Sequence, residues 1–168
     1  LKNGLIDGLV TAPIHKAAMK MAGFPHAGHT EYFETLFGTN GLMLMVSDQL
    51  RVGLVTNHLP LSEVTAQITK ERIQKKIKVL EESLRIDFGI DKPNIAVLGL
   101  NPHAGEGGTI GREEVDVIAP AIAAAQAEGI DARGPFPPDT VFMQARRGAF
   151  DLVVSMVHDH GLIAVKYL

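Results

Sequence analysis

Three apolar runs, at residues 52–56, 95–100 and 152–157, share one form: strand-length stretches of mostly aliphatic residues, each giving way to a polar turn. Runs of this length and composition read as buried strands. A different period governs residues 69–88, where Ile73, Ile77, Leu80 and Leu84 recur at three and four residues. They mark the buried face of a helix that starts at Thr69 and is closed by Gly89. Residues 42–46 and 51–56 pattern as a hairpin joined through Ser47-Asp48-Gln49, and Ser62 begins a helix of its own. Strand 95–100, glycine-rich loop 101–111 and alanine-rich helix 112–128 follow one another in the order of an α/β unit. Pro135, Pro137 and Pro138 predict an extended loop, then a short helix near 139–146; residues 149–151 open the last strand.

Nearer the start, residues 5–11 read as a short strand and 14–21 as a helix. Thr30 is placed to cap a second helix over 32–37. No repeat or linker interrupts the pattern, so residues 1–168 are read as a single α/β domain fragment.

Composition narrows the partners. A chain of 168 residues, 46% hydrophobic and 21% charged, suits one sizeable core. A net charge of −3 without a long basic block argues against a nucleic-acid surface. The basic residues Lys70, Arg72, Lys75, Lys76 and Lys78 share a helix-forming stretch with Glu71, Glu81 and Glu82, which describes a solvated helix face. No apolar run reaches the roughly 18 to 20 residues of a membrane span, and the start lacks a secretory core, so a cytoplasmic protein is expected. The first residue is not methionine and residues 166–168 stop inside a stretch that reads as extended, so a piece of a longer polypeptide is expected. With no cysteine, any metal must use nitrogen and oxygen ligands.

Candidate chemistry lies where the three runs end. Ligands of open α/β sheets bind beyond the carboxyl ends of parallel strands. His58, His103 and His158 each stand just past one run, and three neutral imidazoles with an open position describe a catalytic divalent-metal centre. His58 reads also as a histidine hydrogen-bonded in a surface turn, and no pair among the three has the His-x3-His spacing of a compact zinc motif. Asp159 is placed to orient His158 or to bind metal itself. His15, His26 and His160 read as structural or supporting. The loop 101–111 holds four glycines, which allow close approach to a ligand, but it lacks the Gly-Lys-Ser/Thr ending of a phosphate loop and the dinucleotide glycine spacing. A plain strand-to-helix turn is its other reading; His103 at its mouth favours function. His29 and Thr30, at a glycine-preceded helix start, are donors suited to a phosphate or carboxylate, or simply a cap with Glu31. Lys166 stands in an apolar stretch, either as an exposed strand-edge position or as a cation for an acidic substrate.

Four segments together, Gly28-His29-Thr30-Glu31, Asn57-His58-Leu59-Pro60-Leu61, Gly99-Leu100-Asn101-Pro102-His103-Ala104-Gly105-Glu106-Gly107-Gly108 and His158-Asp159-His160-Gly161-Leu162 with Lys166-Tyr167, resemble the 4-hydroxythreonine-4-phosphate dehydrogenases of pyridoxal phosphate biosynthesis. The resemblance runs through essentially the whole chain. It implies an α/β fold like that of isocitrate and isopropylmalate dehydrogenases, with this chain covering mainly one of two domains, and a homodimer whose active site is shared across subunits. It further implies His58, His103 and His158 as ligands of a divalent metal (Zn, Mg or Co), His29, Thr30 and Lys166 as substrate contacts, and NAD or NADP as coenzyme. The implied reaction oxidises 4-phosphooxy-L-threonine at C3, giving a β-keto acid that loses CO2 to form 3-amino-2-oxopropyl phosphate. Asp159 is the candidate general base. The alternatives are a dehydrogenase of a related phosphorylated hydroxy acid, such as 4-phospho-threonate or erythronate, and a non-catalytic metal- or phosphate-binding module. Members of the family extend beyond both ends of this chain and often carry Gln where His160 stands here.

Overall fold

Residues 52–55 and 152–157 are buried along their whole length, as strands covered on both faces of a parallel sheet must be. The computed structural model describes residues 1, 3–26, 28–39 and 41–167. The chain divides into two compact units, Leu1–Gly41 and Leu42–Leu168, a division that no shift in composition marks.

The first unit holds helices α1 (Lys16–Met21) and α2 (His29–Phe37). His15 caps α1, its Nδ1 accepting the Ala18 N–H at 3.2 Å. His26 packs edge-on against Phe24 and Tyr32, with ring centroids 5.4 and 5.5 Å away, a structural role. Two expectations are corrected. The cap of α2 is Gly28, in extended conformation, so Thr30 lies inside the first turn rather than ahead of it. Residues 5–11 form no strand; Leu5 and Val10 are 83% and 98% exposed, and among the described residues this unit offers no strand for the segment to pair with.

The second unit is a five-stranded sheet: β1 (Leu44–Val46), β2 (Arg51–Leu54), β3 (Asn94–Leu98), β4 (Asp131–Phe136) and β5 (Leu152–Ser155), in spatial order β1-β2-β5-β3-β4. The β1–β2 hairpin is antiparallel, as patterned, while β2, β5, β3 and β4 run parallel. Alternation along β3 sends Ile95 and Val97 to one face and Ala96 and Leu98 to the other. Helices α3 (Leu61–Gln67), α4 (Lys70–Ile86) and α5 (Ala119–Ala127) pack on the first face. Helices α6 (Pro138–Arg146) and α7 (His158–Tyr167) pack on the second. Thr69 caps α4 as predicted, and Ile73, Ile77, Leu80 and Leu84 are fully buried.

Two elements differ from the sequence reading. Pro135 lies in the edge strand β4, a place where proline's missing N–H costs no ladder bond, and Pro137 and Pro138 open α6. The turn after residue 157 and the stretch read as extended toward residue 166 together form α7, because Gly161 and Leu162 pack down onto the sheet at one end of an apolar run too short to declare its own period. Lys166 therefore sits in the last turn of a helix and not on a strand edge. Among the described residues no helix is long and apolar enough to cross a membrane.

Candidate metal centre

Three neighbouring parallel strands, β2, β5 and β3, end at the same edge of the sheet, and the chain leaving each one carries His58, His158 and His103 in turn. The edge brings two of them together. The rings of His58 and His158 lie 4.9 Å apart between centroids, inclined at 45°. Two imidazoles on one tetrahedral ion stand roughly 5 Å apart, given metal–nitrogen bonds of about 2.1 Å. Asp159 Oδ1 lies 2.7 Å from His158 Nδ1, a bond that holds the proton on Nδ1 and leaves the Nε2 lone pair outward. Both rings line a cavity of about 350 Å³ with Asn57, Leu61 and Val64. Asn57 Oδ1 is buried there without a hydrogen-bond partner. An orphaned buried oxygen is rare and calls for a donor or a cation. The two imidazole nitrogens are borderline donors, which fit a divalent cation, and Asn57 with its unsatisfied oxygen lines the same cavity.

His103 is not gathered with that pair. Among the described residues no three His, Cys, Asp or Glu side chains come close enough to hold one ion. His103 lines a neighbouring cavity of about 550 Å³ with Asn101, Asp139, Phe142, His160 and Ile163. His158 and His160 part company because a helix turns 100° per residue, so residues two apart face opposite ways. His160 Nδ1 is buried without a hydrogen-bond partner.

The turn carrying His103 is unusual in its backbone. Five consecutive residues from His103 to Gly107 hold positive φ, at 52°, 51°, 78°, 44° and 63°. Three of them, His103, Ala104 and Glu106, are not glycine, and left-handed geometry costs such residues roughly 1–2 kcal/mol each. What holds the turn is a carboxylate. Glu114, only 2% exposed, accepts the N–H groups of Leu100 and Asn101 at 2.7 Å each and the Asn101 side-chain amide at 2.9 Å. Burial alone would raise its pKa; the donors from Asn101 and Leu100 outweigh burial and hold it below its ordinary value of 4.5. The sequence reading missed Glu114, and the signal present was an acidic residue in the first turn after a glycine-rich loop.

The other predicted site residues are placed as follows. In the first unit, His29 and Thr30 occupy the opening turn of α2, and His29 Nδ1 lies 3.4 Å from Thr11 Oγ1. In the second, Lys166 is exposed, eight residues and about 12 Å of helix beyond His158.

Comparison with known proteins agrees along the whole length. The chain matches the family model of the pyridoxal phosphate biosynthetic protein PdxA over residues 1–168. It is 47% identical to the 4-hydroxythreonine-4-phosphate dehydrogenase of Marinobacter nauticus across 98% of this chain and 49% of that protein. Among solved structures it superposes on the 4-hydroxythreonine-4-phosphate dehydrogenase of Klebsiella pneumoniae with a TM-score of 0.87 and 43% identity, over 93% of this chain and 47% of that one. A terephthalate 1,2-cis-dihydrodiol dehydrogenase from Burkholderia xenovorans matches at 26% identity and a TM-score of 0.82, over 99% and 52%. The chain thus spans about half the length of the relatives it matches. These superpositions correct the expected isocitrate and isopropylmalate dehydrogenase-like assignment: the sheet with its antiparallel edge hairpin is matched by chains of this dehydrogenase family, whose fold replaces it.

Proposed function

This chain belongs to the family of the pyridoxal phosphate biosynthetic protein PdxA, and from that premise we propose that it serves the metal-dependent, NAD(P)-linked oxidation of 4-phosphooxy-L-threonine at C3. The β-keto acid formed then loses CO2 to give 3-amino-2-oxopropyl phosphate. The observation that carries the reading is the facing pair His58 and His158 at the carboxyl edge of parallel strands, with His158 held in one tautomer by Asp159. His58 and His158 would hold the ion, and His103, which lines the neighbouring cavity from the adjoining strand end, would complete the set as third ligand by moving toward the pair. When bound, a divalent cation supplies charge that lowers the pKa of a neighbouring alcohol and steadies the charge left by decarboxylation, and a nicotinamide coenzyme supplies the hydride acceptor.

The chain's own residues bind and orient. Asp159, its carboxylate engaged with His158 Nδ1, fixes the tautomer and the orientation of that imidazole; we assign it this orienting role ahead of that of general base. His29 and Thr30 offer donors at a helix N-terminus, and Lys166 a cation, to the phosphate or carboxylate of the substrate. The protein works as a homodimer that shares its active site across subunits, in the cytoplasm.

A second reading keeps the chemistry and changes the substrate to 4-phospho-threonate or erythronate. It is favoured by His160, a second imidazole lining the His103 cavity, and by the fold shared with a dehydrogenase named for a different diol. Side-by-side turnover separates the two. With a divalent metal added, NAD(P)+ reduction should be faster on the amino substrate than on either hydroxy acid. A reversed preference selects the second reading, and no reduction with any of the three would overturn both.

A further inference from the structure

The turn bearing His103 needs a restraint, since three non-glycine residues in left-handed geometry do not hold themselves there. We propose that Glu114 is a positioning residue for the metal site: it fixes the His103 turn and so sets the affinity of the site for its ion. This inference rests on the metal reading above and adds to it a residue that touches neither ion nor substrate, for Glu114 is not among the residues lining either cavity described.

The geometry is that of a turn wrapped around one carboxylate. Oε1 receives both backbone N–H groups of the segment entering the turn, Leu100 and Asn101. Oε2 receives the Asn101 side chain, whose same nitrogen also donates to Glu113 Oε2 at 2.7 Å. Two glycines press against it from either side of His103. A Cβ on Gly99 would stand 3.0 Å from Glu114 Oε1, and one on Gly105 would stand 2.5 Å from Oε2. Asn101 in turn lines the cavity that His103 lines, so the carboxylate acts on the ligand through the residue two before it. A group that orients a metal ligand through its partners governs affinity without contacting the metal.

Glu114→Gln tests this with little change of volume. Glutamine keeps one acceptor oxygen for the two backbone donors, but its amide meets the Asn101 amide, donor against donor. Asn101 cannot escape by turning its own amide over, because its oxygen would then face Glu113. The probe is Co(II), titrated into metal-free protein and followed by its visible absorption, with unfolding midpoints measured in parallel. Ile73→Val, a buried change on the core face of α4 that removes no contact to the Asn101 or Glu114 side chains described above, is the stability control. Glu114→Gln is expected to weaken Co(II) binding about ten- to a hundredfold and to alter the band shape. Ile73→Val should lower the midpoint and leave both unchanged. Glu114→Asp, which keeps the charge on a shorter arm, should lie between wild type and Gln, and serves alone if Gln does not fold.

Wild-type affinity and spectrum in both Glu114 variants would overturn the positioning role and leave the metal reading standing. Failure of the wild-type protein to bind Co(II) would instead overturn the metal reading, and this inference with it.

Discussion

Substituting alanine for His158 is expected to remove the bound ion and to cut turnover by about three orders of magnitude, the scale of the several kcal/mol that a Lewis acid contributes. The side chain is 22% exposed and touches its neighbour Asp159 and the ring of His58, itself exposed, rather than the core, so the fold should survive its loss. Metal content per subunit, steady-state rates and the unfolding midpoint check this together. His58→Ala should cost about as much, and the double variant little more than either, because ligands of one ion fail as a unit. Full metal content in the His158 variant would remove the pair from the site.

Gly161→Val should have the largest effect on stability. Gly161 lies one turn after His158 on α7, where the helix rests on β2 and β5. A Cβ there would stand 2.8 Å from Val52 Cγ1, 2.9 Å from Leu54 Cδ2 and 3.1 Å from Ser155 Cβ. All three are closer than carbon atoms ordinarily pack, and all three belong to fully buried strand residues that have nowhere to move. Alanine would recover part of the loss, since glycine is the poorer helix former by about 1 kcal/mol, but valine adds two methyls and forfeits most of that gain. Overpacking of about 1–3 kcal/mol is expected, read as a lower denaturant midpoint, together with weaker metal binding as α7 lifts and carries His158 away from His58. A midpoint equal to wild type would show that α7 does not bear on the sheet as described.

The sheet edge could be read from sequence because its signals are local. Each of the three histidines follows a run that is apolar on both faces, and the helix over residues 69–88 announces itself at Ile73, Ile77, Leu80 and Leu84. Elements that depend on what they meet could not be read so. Residues 5–11 have strand composition and no strand beside them; residues 131–136 hold a proline and have a strand on one side only. The apolar stretch after His158 is a helix because Gly161 and Leu162 fit against the sheet, and the 3.6-residue period then parts His158 from His160. His103 shows the limit most plainly. Its place at a strand end is legible, but the left-handed turn that sets it beside Asn101, and the buried carboxylate of Glu114 that closes the turn, arise from contacts across the loop. An acidic residue at a helix start looks solvated until the loop before it folds back.

The most direct test of the central claim is an anomalous-scattering map from crystals of the protein loaded with Co(II). The account predicts a single strong peak about 2.1 Å from ring nitrogens of both His58 and His158, with His103 drawn in as the third imidazole. A peak held by other residues while His58 and His158 stand free, or no peak between them at saturating metal, would contradict it.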